Sequence, residues 1–142
     1  MGAGQRARAM PEILIVEDEF LVALDLEDIV SRAGYRVLGI VADRKDFERV
    51  EFGHQDRQPH VALVDLNLRD GPTGPEIARR LSERFGTIII FVTANPDQIA
   101  DPPCTALGYI RKPFAPDAIV AALGHAVNEA RVSSVPGLHR FG

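Results

Sequence analysis

Five short apolar runs punctuate the chain, at residues 13–16, 37–41, 61–64, 88–92 and 108–110. They are rich in Val and Ile and are not broken by polar alternation. Strands buried on both faces of a parallel sheet have this pattern. Amphipathic stretches lie between them. Val22, Leu26, Ile29, Val30 and Ala33 fall at i, i+4, i+7, i+8 and i+11 and share one helical face. Ile77, Ala78, Leu81 and Phe85 line another face. Thr73, Pro75 and Glu76 precede it and read as a capping box with proline at the first helical position. A third stripe, Ile119, Ala122, Leu123, Ala126 and Val127, follows Pro116, and residues 44–52 carry a weaker helical signal. Strand alternating with helix predicts a doubly wound α/β sheet with right-handed crossovers.

The chain has 142 residues, so one domain is expected. Residues 1–10 and 132–142 read as loose tails, leaving a domain at 11–131. The short stretch after the last stripe has no room for an output domain, so a stand-alone unit is expected. At 46% hydrophobic the chain is too apolar for disorder throughout, yet no apolar run is long enough to span a bilayer. A net charge of −4 argues against a nucleic-acid partner. The run at 13–16 meets Glu17, Asp18 and Glu19, so no export signal follows the early arginines. Cys104 is alone, which excludes an internal disulfide; a reduced cytoplasm is the expected location. His54, His60, His125 and His139 stand at no metal-ligand spacing. Fourteen of the sixteen basic residues are Arg and two are Lys, Lys45 and Lys112. A lysine beside Pro113 in an apolar segment of an Arg-rich chain invites a chemical explanation.

In doubly wound sheets chemistry gathers outside the carboxyl ends of the strands. Glu17, Asp18 and Glu19 follow the first strand. Asp65, Leu66 and Asn67 end the third, Thr93 and Ala94 the fourth, and Arg111, Lys112 and Pro113 follow the fifth. Carboxylates gathered at one edge repel unless a cation offsets them. Mg²⁺ suits such a site, because it takes one or two carboxylates and completes its shell with water and phosphate oxygens. A lysine and a hydroxyl nearby complete a site for a tetrahedral anion. The set fits phosphoryl transfer onto a carboxylate.

The segments ILIVEDE, VALVDLNL, IIIFVTA and GYIRKPF, in this order, resemble the receiver domain of two-component response regulators. The resemblance covers about residues 12–127. It implies a flavodoxin-like fold of five parallel strands in the order 2-1-3-4-5 with five helices. It implies that Asp65 is the phosphoacceptor, and that Asp18, Asp65 and the backbone carbonyl of Asn67 ligate Mg²⁺. A glutamate leads the acid pair where two aspartates are more usual, so Glu17 is expected to bind the metal directly or through water. Lys112 is expected to bind a phosphoryl oxygen, in front of a cis peptide bond to Pro113. Thr93 is expected to hydrogen-bond the phosphoryl group, with Tyr109 as the aromatic that moves with it. The stretch from Thr93 to Lys112 is short and holds Pro96, Pro102 and Pro103, so the fourth helix is expected to be shortened or irregular.

The function implied is a phosphorylation-dependent switch or relay, not an enzyme with a separate substrate. Its expected donor is a histidine kinase or histidine phosphotransfer protein, and its output is through another protein. An aspartyl-phosphate hydrolase of the haloacid dehalogenase type has the same residue kinds, but there the nucleophile lies on the first strand and the acid pair comes last. A phosphorylation-independent interaction module is the other alternative, and Asp65, Thr93 and Lys112 argue against it. Flavin binding is disfavoured because Glu17, Asp18 and Glu19 would repel a phosphate in the first turn. Phe20 and Leu24 lie opposite Val22 on the first helix, where polar residues would be expected. They are the candidate docking patch for a partner.

Overall fold

The structure, a computed structural model, describes residues 10–53, 58–128 and 135–141. Its strands are β1 (Glu12–Val16), β2 (Arg36–Val41), β3 (Val61–Val64), β4 (Ile88–Thr93), β5 (Ala106–Arg111) and β6 (Leu138–Arg140). They form one sheet in the order β2-β1-β3-β4-β5-β6, parallel except for the last pair. The helices are α1 (Phe20–Arg32), α2 (Arg44–Gly53), α3 (Gly74–Phe85) and α4 (Pro116–Asn128). The expected order 2-1-3-4-5 is present, with one antiparallel strand added at its edge.

The apolar runs are continuous because both faces of the sheet are covered. Ile13, Ile15, Val61, Leu63, Ile90 and Val92 point to one side and pack with Leu26 and Ile29 of α1 and Ile119 and Leu123 of α4. Their neighbours Leu14, Val16, Ala62, Val64, Ile89 and Phe91 point to the other side, toward Phe47 of α2 and Ile77 and Leu81 of α3. Each of these Val, Leu, Ile and Phe side chains contributes about 1.5–3 kcal/mol when fully buried, so a one-residue register slip in any strand would be severely destabilising. The three predicted stripes face this core, although Val22, Ala33, Phe85 and Val127 are only half-buried at its rim.

Three expectations need correction or refinement. The capping box does not form. Thr73 takes the N-cap position of α3 with helical backbone angles, and its hydroxyl donates instead to Asp70 Oδ1 at 2.6 Å. Glu76 pairs with Arg44 at 2.9 Å. The expected fourth helix is reduced to a single 3-10 turn, Pro96–Gln98, in keeping with the three prolines there. The stretch read as a loose tail after residue 131 contains β6, which pairs with β5, while Val135 and Leu138 are buried in the core. Residues 1–9, His54 and residues 129–134 lie outside the described residues.

Candidate functional site

Asp65 sits one residue past β3, where its amide donates to Val16 O at 2.9 Å, while Glu17, one residue past β1, donates to Val41 O at 2.8 Å. The parallel ladders therefore end in register and bring the two carboxylates to the same edge. Gly74 opens α3 directly against Asp65. A Cβ there would run into the Asp65 carbonyl and lie 2.8 Å from Leu66 Cα. The Asp65 side chain is fixed at one oxygen by the Leu66 amide, which donates to Oδ1 at 2.8 Å. Its other oxygen, Oδ2, accepts from Lys112 Nζ at 3.0 Å.

Lys112 follows β5 and is anchored by its own amide, which donates to Thr93 O at 2.9 Å. The Lys112–Pro113 peptide bond is cis, as expected. Its ammonium also lies 2.8 Å from Glu17 Oε1 and 3.4 Å from Glu19 Oε1. Three carboxylates therefore share one ammonium. Glu17 is only 2% exposed, and burial pushes its carboxyl above the usual value of 4.5; Lys112 and the Glu19 amide only partly oppose that. Burial draws the Lys112 ammonium down, but Glu17 and Asp65 outweigh it, so its pKa is raised overall.

Carboxylate oxygens of Glu17, Asp18 and Asp65 lie within 4.8 Å of one another. Asp18 is the least buried of the three. The set is all oxygen, carries more negative charge than Lys112 offsets, and has one side open to solvent. That chemistry fits a hard divalent cation. Thr93 is fully buried at the end of β4, and its hydroxyl accepts from the Asn95 amide at 2.9 Å. Tyr109 lies on β5 opposite Phe91 and is half-buried. Asn67, two residues beyond Asp65, donates from Nδ2 to Gln98 Oε1 at 3.0 Å.

Sequence reasoning gave no role to Glu19, Gln98 or Gly74. Glu19 stands in the predicted acid run, but its approach to Lys112 depends on the loop path. Gln98 and Gly74 carry no chemical signal of their own. On α1, Phe20 and Leu24 are 72% and 40% exposed, and Leu21, which the helical-face argument passed over, is 77% exposed.

Residues 13–124 match the family described as Response regulator receiver domain. The chain belongs to the response regulator receiver family. It is 36% identical over 118 residues to the phyllosphere-induced regulator PhyR of Methylorubrum extorquens, covering 82% of this chain and 43% of that one. The chain thus spans less than half the length of this relative. Among solved structures, the receiver domain of the Erythrobacter litoralis PhyR response regulator superposes with a TM-score of 0.75 at 26% identity. That match covers 90% of this chain and 98% of that one. The anti-anti-sigma factor PhyR of Bartonella quintana gives a TM-score of 0.70 at 26% identity, covering 89% of this chain and 53% of that one. Among the described residues no helix is long and apolar enough to cross a membrane.

Proposed function

We propose that this receiver is a phosphorylation switch in which Asp65 accepts a phosphoryl group from a phosphohistidine of a kinase or phosphotransfer protein. The observation that carries this reading is the two-sided hold on the Asp65 carboxylate. The Leu66 amide fixes Oδ1, while Lys112 faces Oδ2 at 3.0 Å. An Asp65 oxygen bonds to phosphorus as the phosphorus–nitrogen bond breaks, and the electron pair leaves with the imidazole. Lys112 is positioned to meet the charge on the transferring oxygens, and its raised pKa keeps it protonated for that task.

Asp18, Asp65, Glu17 and the Asn67 carbonyl are the residues that would hold Mg²⁺. When bound, the ion supplies positive charge that offsets the carboxylates and the incoming phosphoryl oxygens. Thr93 is read as the hydroxyl that turns to the new phosphoryl group, giving up the Asn95 amide, and Tyr109 as the ring that follows it. A phosphoryl group at Asp65 need only bias two existing arrangements.

Phe20, Leu21 and Leu24 project from the helix that starts beside the acid cluster. We read them as the contact for a protein donor, because a large exposed apolar patch beside a reactive group suits a partner helix. Output is through a protein partner. The Bartonella relative is described as an anti-anti-sigma factor, so an anti-sigma factor is one partner class to test.

The reading is tested by incubating the protein with acetyl phosphate and Mg²⁺ and following intact mass. A species about 80 Da heavier that decays slowly supports a switch. Rapid steady release of phosphate supports the hydrolase reading, and the absence of any adduct supports an inert interaction module.

A further inference from the structure

Residues 135–141 read Val-Pro-Gly-Leu-His-Arg-Phe, and they do more than lengthen the sheet. Pro136 and Gly137 build a tight turn in which the Leu138 amide donates to Val135 O at 3.0 Å, with Gly137 at a φ of 86°. Proline followed by a positive-φ residue is the type II pattern. Gly137 is needed for space as well, since a Cβ there would lie 2.6 Å from Ala118 Cβ on α4. The receiving strand carries a matching glycine. A Cβ at Gly108 of β5 would run into the His139 carbonyl and lie 2.9 Å from Arg140 Cα. Glycine thus stands at both close approaches of the segment, Gly137 against α4 and Gly108 of β5 against β6.

The two-residue period of β6 divides its side chains. Leu138, together with Val135, enters the core beneath α4. His139 and Phe141 go to the opposite face. There His139 stacks on Tyr109, with ring centroids 4.7 Å apart and planes 12° from parallel. Phe141 lies 6.2 Å from Tyr109 and 6.3 Å from Phe91. Tyr109 is therefore held by rings from a strand beyond the parallel sheet. It cannot keep that stack and also move toward Thr93.

We propose that residues 135–141 are a strap that holds Tyr109 in its unphosphorylated position, and that phosphorylation of Asp65 loosens the strap. This inference rests on the reading of Thr93 and Tyr109 as a coupled pair. Ladder pairing at Gly108, Tyr109 and Ile110, burial of Val135 and Leu138, and the ring stack hold the strap together. Movement of Tyr109 removes only the stack and the Phe141 contact, so the expected response is loosening, with the rest of the fold intact. The coupling is reciprocal: the factor by which phosphorylation loosens the strap is the factor by which complete loss of the strap favours the phosphorylated arrangement. Loosening also uncovers the backbone of β5, an open edge able to pair with another strand.

The test is hydrogen exchange on the whole chain with Mg²⁺, with and without beryllofluoride as a stable phosphoryl mimic, with loading verified by bound fluoride resonances. The expected result is exchange at the amides of residues 138–141 that is about tenfold faster when loaded. His139→Ala removes an exposed ring without touching the core, and should bind beryllofluoride several-fold more tightly than wild type. Gly108→Ala, which displaces the strap through its backbone, should act in the same direction. Unchanged exchange in a loaded sample overturns the strap, as does unchanged beryllofluoride affinity in both variants. Absence of bound fluoride in wild type is a different failure: it overturns the phosphoacceptor reading, and the strap's coupling to it falls as well.

Discussion

Lys112 Nζ lies 3.0 Å from Asp65 Oδ2, and the two side chains are only 13% and 10% exposed. The ammonium therefore faces the proposed acceptor from a largely dry position, where a charge acts more strongly than in water. Lys112→Ala removes it and leaves Glu17 and Asp65 facing each other. Labelling by acetyl phosphate is expected to slow by about 10²-fold or more. The metal-free protein is expected to lose about 3 kcal/mol in denaturant unfolding.

Glu17 should trade stability against metal binding. Its folded pKa is raised above 4.5, chiefly by burial. A carboxyl raised in this way contributes stability that is present below its unfolded pKa and is lost as pH rises through the folded value. Glu17→Gln removes that loss. Without Mg²⁺ the variant is expected to melt about 3 °C higher at neutral pH. Its advantage should shrink toward pH 4, and its Mg²⁺ affinity should fall. A variant that melts lower than wild type at neutral pH would show that the Lys112 pair outweighs burial.

Gly74→Ala tests the close approach of α3 to Asp65. The added Cβ meets the Asp65 carbonyl and Leu66 Cα, both backbone, so neither can swing away. A cost of about 1–3 kcal/mol is expected from overpacking, with slower labelling because Asp65 shifts. Gly124→Ala is the control: nothing lies within 4 Å of a Cβ at that position of α4, so it should be neutral or mildly stabilising.

Leu24→Arg places a charge in the exposed patch on α1. Transfer from a histidine phosphodonor protein is expected to fall at least about tenfold, while labelling by acetyl phosphate stays at the wild-type rate. The small donor needs Asp65 and its neighbours but not the helix face. An equal loss with both donors would mean that the substitution damages the site itself.

The fold was legible wherever burial leaves a pattern. Unbroken runs such as Val61–Val64 and the stripe at Leu26, Ile29 and Val30 predicted both the strands and the helix that covers them. The meeting of Asp65 with Lys112 followed from the strand order 2-1-3-4-5, which the receiver resemblance implied and the burial pattern alone did not. What escaped prediction carries no such period. Pro136 and Gly137 read as breakers, yet the same two residues build the turn that docks β6. Gly108 and Gly74 act through the absence of a side chain, which a hydropathy pattern cannot register. Thr73 and Glu76 matched a capping box by type and spacing, but Asp70 and Arg44 are better partners in space. That choice between partners is made by loops whose path the local sequence does not specify.

The central claim is that the phosphoryl group goes onto Asp65. Reducing acetyl-phosphate-labelled protein with borohydride converts an acyl phosphate to an alcohol, and peptide mapping then locates it. The account predicts a single modified position, Asp65, and no modification when Mg²⁺ is chelated or in Asp65→Asn. Modification at Glu17 or Asp18, or undiminished labelling of Asp65→Asn, would contradict it.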